Sequence, residues 1–150
     1  MSAVSWTPLG NCLSRVETWN PLRAEPGESF RYIDLSAVDQ DSKTITEARA
    51  IACSEAPSRA RQRVNAGDVL VSTVRPNLNG VARVPSELNG ATASTGFCVL
   101  RPNPDKLDGG YLFQWVKSAA FVTDMVKKAT GASYPAVSDR IVFESALPLP

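Results

Sequence analysis

Arg59, Arg61 and Arg63 alternate along the chain, with Gln62 between the last two. An extended backbone would turn the three guanidinium groups to one side. There they would suit phosphates, while a glutamine amide offers the paired donor and acceptor that match adenine. A second polar cluster, Ser72, Arg75, Asn77 and Asn79, lies where a β-branched run gives way to a Pro/Asn/Gly turn. Loops carried by a rigid sheet are good places for recognition, and arginine and asparagine can pair with guanine and adenine edges. A third cluster, in residues 130–134, offers small residues for close backbone approach, the Ser133 hydroxyl and the Tyr134 ring. Lys127, Lys128 and Arg140 are further phosphate candidates. Taken one at a time, each cluster also fits a plain role: solvated or ion-paired arginines, an ordinary turn, a packed Tyr-Pro.

Other chemistry finds little support. The 150 residues include no histidine, which removes the commonest general base and the commonest zinc ligand together. No G-x-S-x-G elbow, P-loop or G-x-G-x-x-G run is present. Ser118 and Lys117 are neighbours, and adjacent helical residues face apart. Cys12, Cys53 and Cys98 are widely spaced with no C-x-x-C pair, as expected of buried thiols in a reduced protein. Neither a metal nor a cofactor is expected. The net charge is +1, but it is unevenly spread. Residues 24–56 hold three basic and seven acidic side chains, whereas residues 57–101 hold six arginines against Asp68 and Glu87. Such segregation can make one basic face on a nearly neutral protein. The N-terminus does not read as a signal peptide. No window approaches the ~18 apolar residues of a membrane helix, so a soluble, cytoplasmic chain is expected.

The elements that must position these residues are set by apolar spacing and turn chemistry. Leu9, Cys12, Leu13 and Val16 recur at helical spacing behind Pro8, which predicts an N-terminal helix ending before Asn20-Pro21. Residues 30–35 alternate as a strand, with Arg31, Ile33 and Leu35 on one face and Phe30, Tyr32 and Asp34 on the other. Residues 57–63 lack apolar periodicity and are expected to be exposed. Residues 69–74 read as a core strand, residues 81–84 and 97–100 as further strands, and Asn89-Gly90 as a hairpin turn. Asp108 caps a predicted helix carrying Leu112, Trp115 and Val116; Phe121, Val122, Met125 and Val126 give a second helical face; Ser138 caps a short turn into Ile141. The expectation is one α+β domain over residues 1–150, with a twisted, mainly antiparallel β-sheet, an N-terminal helix and C-terminal helices.

The order of these segments carries more than their composition. Tyr32-Ile33-Asp34-Leu35 is followed by APSRARQ (residues 56–62), GDVLVSTVRPN (67–77), ASTGFCVL (93–100), GASYPAVS (131–138) and a terminal LPLP (147–150). This succession resembles the target-recognition domain of type I restriction–modification specificity subunits, and it spans nearly the whole chain. The resemblance implies a non-catalytic domain that reads a few base pairs of double-stranded DNA, mainly in the major groove. It implies partner methyltransferase subunits that methylate adenine with S-adenosylmethionine, and endonuclease subunits that cut unmodified DNA; the recognition domain holds no cofactor itself. A whole subunit of that family carries two such domains, each followed by a long spacer helix; this chain has one recognition domain without the spacer helix or the second domain, as either a fragment or a half-subunit would. The alternative is an orphan domain that keeps the fold as an interaction module without DNA binding.

Overall fold

The computed structural model describes residues 4–131 and 135–149. Its centre is a β-branched segment with no polar alternation. Val69–Ser72 (β8) is apolar at three successive positions because both of its faces are covered. The strands that precede it are Ser5–Pro8 (β1), Leu13–Ser14 (β2), Ser29–Ile33 (β3), Val38–Asp39 (β4), Thr44–Ile45 (β5), Arg49–Ala52 (β6) and Ala60–Arg63 (β7). After it come Val81–Arg83 (β9), Thr92–Ser94 (β10), Phe97–Pro102 (β11), the helices Gly109–Lys117 (α1), Ala119–Lys128 (α2) and Asp139–Glu144 (α3), and Ala146–Leu149 (β12).

Among the described residues the strands form two four-stranded sheets, β2-β11-β8-β9 and β6-β3-β10-β7, and two two-stranded ribbons, β1-β12 and β4-β5. All named pairings are antiparallel except β10 against β3, where Thr92 and Ala93 lie beside Tyr32 and Ile33. Antiparallel pairing therefore dominates, as expected, but it is divided between separate sheets.

The first sheet is the middle layer. Val69, Val71, Cys98 and Leu100 turn to the helices and meet Leu112, Val116, Phe121, Met125 and Val142. The alternate residues Leu70, Phe97 and Val99 turn the other way, onto Ile33, Ala93, Val64 and Leu88. A smaller cluster joins Phe30, Tyr32, Cys53 and Ala60 on the far side of the second sheet, with Trp19 and Ile51 against it. The opposed faces expected for Phe30/Tyr32 and Ile33 are thus both filled. All three cysteines are buried with free thiols.

The C-terminal caps form as their sequences indicate. The Asp108 carboxylate accepts from Tyr111 N at 2.9 Å, and the Ser138 hydroxyl accepts from Ile141 N at 3.2 Å. Ser118 does the same for Phe121 N and divides the helical stretch after Asp108 into α1 and α2.

The N-terminal helix does not form. Residues 5–14 instead give β1, a 3-10 turn at Leu9–Cys12 and β2. Leu9 and Cys12 are buried, as their three-residue spacing permits in a 3-10 turn. The helix loses because Ser5 to Pro8 pair in register with β12, and Pro8 is extended at φ −58°, ψ 131°. A Cβ on Gly10 would come within 3.2 Å of Phe143, so the backbone there is pressed against α3. Asn20, expected at the end of a helix, begins a 3-10 turn at Pro21–Arg23. Residues 57–63 also depart from expectation: β7 is a sheet strand, with Ala60 fully buried and Gln62 half-buried.

Candidate nucleic-acid interface

The tight turn between β10 and β11, Thr95 and Gly96, is where the predicted clusters meet. On one side Thr95 N donates to Arg59 O at 2.9 Å. On the other, Thr73 donates to Gly96 O through its backbone N, at 3.0 Å, and its hydroxyl, at 2.9 Å. Gln62 closes the turn from behind: its Nε2 donates to Ser94 O at 2.9 Å and to Phe97 O at 2.8 Å. The Ser94 hydroxyl accepts from Gly96 N at 3.0 Å. Ser94 also hydrogen-bonds the Tyr32 side chain, but burial dominates there and pushes the phenol above its ordinary pKa. A Cβ on Gly96 would sit 2.8 Å from Leu35 Cδ1, so a side chain there requires Leu35 to shift.

The polar residues singled out by sequence therefore divide by direction. Arg59 and Arg63 are exposed, and Arg61 is half-buried with Nε donating to Ser58 O at 3.0 Å. β7 does not alternate simply: Ser94 stands opposite Ala60 and Ala93 opposite Gln62, so the register shifts at Arg61 and Ala60 and Gln62 take opposite faces of the sheet; Arg59 lies just before the strand. Arg63 lies 4.2 Å over the Trp19 ring, whose Nε1 donates to Thr92 Oγ1 at 3.0 Å. This stacking holds the guanidinium plane while leaving its edge toward solvent. Gln62 faces the opposite way. Both hydrogens of its amide are committed to backbone carbonyls, so adenine readout by this side chain would have to break the turn's lock.

The second cluster divides in the same manner. The turn at Pro76–Leu78 is flanked by two non-glycine residues with left-handed backbone, Arg75 at φ 50° and Asn79 at φ 49°. Asn79 Nδ2 donates to Val116 O at 2.9 Å and so satisfies a carbonyl in the last turn of α1. The Ser72 hydroxyl donates to Val74 O at 2.9 Å. These two side chains hold the turn in place. Arg75 and Asn77 are exposed on it, with Leu78 between Asn77 and Asn79 at 42% exposure.

The third cluster reaches the same place. Arg75 N donates to Pro135 O at 2.7 Å, and Val137 N donates to Thr73 O at 2.9 Å. Thr130 and Ala136 also exchange backbone hydrogen bonds. Ser133 and Tyr134 themselves lie outside the described residues. Two further phosphate candidates are paired: Lys128 with Asp124 at 2.9 Å and Arg140 with Glu144 at 2.7 Å.

Sequence reasoning did not single out the tip of the β4-β5 ribbon, which packs beside the same turn. Lys43 Nζ donates to Asn79 O at 2.7 Å. Burial holds this ammonium below its ordinary pKa; Asp41 opposes that shift and Lys117 adds to it. Between the ribbon and the turn runs a groove of about 390 Å³ lined by residues including Leu35, Val38, Gln40, Ser72, Arg75 and Leu78. Nothing in local spacing marks this juxtaposition, since the hydrogen bond joins residues 36 positions apart.

Among the described residues no group of acidic, cysteine or histidine side chains is arranged to hold a metal ion. No helix among them is long and apolar enough to cross a membrane.

No protein-family model and no curated protein matches the chain. Solved structures do. The HsdS subunit from Thermoanaerobacter tengcongensis is 37% identical with a TM-score of 0.89, over 98% of this chain and 38% of its own length. A chain from a structure concerned with complex assembly and conformational transition of the type I R-M system is 36% identical with a TM-score of 0.93, over 100% of this chain and 38% of its own. The chain thus spans well under half the length of each. These likenesses define the class: a specificity-subunit domain of type I restriction–modification systems. More particularly, the α+β architecture is that of the HsdS target-recognition domain, as the order of sequence segments implies.

Proposed function

We propose that this domain reads a short sequence of double-stranded DNA as one recognition domain of a longer type I specificity subunit. In that role it does no chemistry and holds no cofactor. It directs adenine methylation and cleavage by partner methyltransferase and endonuclease subunits in the cytoplasm. The observation that carries this reading is the likeness to HsdS chains, above a third in sequence identity and essentially end to end in this chain.

Arg59, Arg61 and Arg63 then neutralise phosphates, which position the protein without carrying sequence information. Arg75 and Asn77, raised on a turn braced from beneath, meet base edges. Gln62, Ser72 and Asn79 act as the frame, and Ser133 and Tyr134 are further candidates for contact with the DNA.

The test is selection of the chain against a pool of random duplexes at low and moderate salt, followed by sequencing of the bound fraction. Enrichment of a short motif is expected. Arg61→Glu is expected to weaken binding to all sequences alike, and Asn77→Ala to change the preference among them. Failure to bind any duplex at low salt would refute the reading and favour an interaction module that has lost its DNA.

A further inference from the structure

We infer that the tip of the β4-β5 ribbon, residues 40–43, is a second base-reading element, with Gln40 as its reading side chain and Lys43 as the strut that fixes it against the turn at Pro76–Leu78. The inference rests on the DNA reading above and names a part of that surface which the sequence did not indicate.

Three observations support it. Among the described residues, the non-glycine residues with left-handed backbone are Lys43 at φ 58°, Arg75 and Asn79. Such backbone is uncommon for lysine and arginine, though not for asparagine, and Lys43 and Arg75 fall at the junction that Asn79 also marks. Strain that the surroundings over-determine tends to gather where a surface must be held to shape. Secondly, the two tips are joined directly by the bond from Lys43 Nζ to Asn79 O at 2.7 Å. Asn79 is tied in turn to α1 through Val116 O, so the ribbon tip is referenced to the helix layer. Thirdly, Gln40 is exposed and lines the same groove as Ser72 and Arg75.

The charge of the tip decides which part of DNA it can meet. Asp39 and Asp41 stand on either side of Gln40. Asp39 accepts from Asp41 N at 3.0 Å, and this bond, with further help from Ser42, holds its carboxyl below the usual carboxylate range, so it stays ionised. The one cation of the tip, Lys43, is turned inward. An element with two exposed carboxylates and an inward-facing ammonium is repelled by phosphates. Base edges are different: glutamine pairs with adenine in bidentate fashion, and a carboxylate accepts from the cytosine amino group. The tip is therefore unsuited to phosphates, and the contact with DNA that its side chains can make is to a base edge.

The test uses the 150-residue chain and its Gln40→Ala, Lys43→Met and Lys43→Arg variants. Each is put through the random-duplex selection, with affinity for the best duplex measured across a salt series; thermal unfolding confirms that each variant folds. Gln40→Ala is expected to lose about tenfold or more of its discrimination at one or two base pairs of the selected motif, with the salt slope unchanged. Lys43→Met is expected to blur those positions together with the ones read by Asn77, again at constant salt slope, and Lys43→Arg to restore them. Equal weakening on every sequence would overturn the proposal. So would a salt slope lowered by about one in Lys43→Met, the mark of a phosphate contact. A wild-type motif left unaltered by Gln40→Ala would overturn this proposal alone. A wild-type chain that enriches no motif would overturn the DNA reading, and this proposal with it.

Discussion

Gln62→Ala distinguishes a brace from a reader. The side chain donates two hydrogen bonds, of 2.9 and 2.8 Å, to carbonyls that flank the β10-β11 turn. Each such bond contributes about 1 kcal/mol net, and a buried acceptor left unpaired raises the cost. Ser94 and Phe97 are both fully buried, which would set the loss near ~4 kcal/mol if both carbonyls stayed dry. Gln62, however, borders an open cavity of about 560 Å³, from which water can reach part of the site. The expected destabilisation is therefore about 2 kcal/mol, read in urea unfolding as a midpoint lowered by about 1 M. Gln62→Glu should cost more at neutral pH, since a carboxylate would face two carbonyl oxygens with no proton to give. Its folded-state pKa would be raised above the unfolded value. Stability is then retained in acid and lost as pH rises through the folded pKa. The motif selected from random duplexes should be the same for Gln62→Ala as for the parent chain. A variant with unchanged urea midpoint and an altered motif would refute the assignment and return Gln62 to the bases.

The packing sets three further outcomes. Asp68 is buried and receives Arg101 at 2.9 and 3.0 Å together with Asn65 N at 2.8 Å; Asp68→Ala should cost about 3 kcal/mol, because it strands a partly buried guanidinium, whereas a loss below about 1 kcal/mol in denaturant unfolding would show the pair to be dispensable. Gly96→Ala must displace Leu35, whose Cδ1 would lie 2.8 Å from the new methyl, and should lower stability by about 1–3 kcal/mol; an unchanged melting temperature would mean that the Leu35 side chain moves aside freely. Burial, reinforced by the nearby Asp139, pushes the Cys98 thiol far above its ordinary pKa. Cys98 should therefore resist thiol reagents until the chain unfolds, and mass-spectrometric labelling of this residue at neutral pH under native conditions would contradict that.

Much of the middle and C-terminal architecture was legible because its signals are local. The uninterrupted Val69-Leu70-Val71 run reports a strand covered on both faces, and Asp108 and Ser138 stand at the starts of the helices they cap. The N-terminal segment misled for a physical reason. Leu9 and Cys12 satisfy both helical and 3-10 spacing, and the choice between them was made by β12, at the other end of the chain. The candidate interface was legible in residue type but not in direction. Asparagine and glutamine carry the same amide whether it faces DNA or a backbone carbonyl. The carbonyls that claim Gln62 and Asn79 lie 32, 35 and 37 positions away. The alternation expected of the arginines is interrupted in β7, where the register against β10 shifts between Ala60 and Gln62, and an irregularity of that kind is not visible in residue spacing. Residues 39–43 read as a polar turn in sequence, but their place beside the Pro76–Leu78 turn gave no signal, since it depends on a contact between two distant turns.

The ribbon of β1 and β12 bears on how force enters the molecule. Ser5 pairs with Leu149 and Pro8 with Ala146, so the two ends of the described chain lie side by side, about 5 Å apart as antiparallel partners. Tension applied between those ends would open the ribbon from Ser5 and Leu149 inward, one rung at a time, as a zipper opens. The load would reach Leu9 and Leu147, both fully buried, only after the outer rungs had parted. A pull shared by both strands in the same direction would leave the ribbon closed and pass directly into the core, where Leu147 is buried and Leu149 packs. The same peptide segments are thus weak against separation and strong against towing.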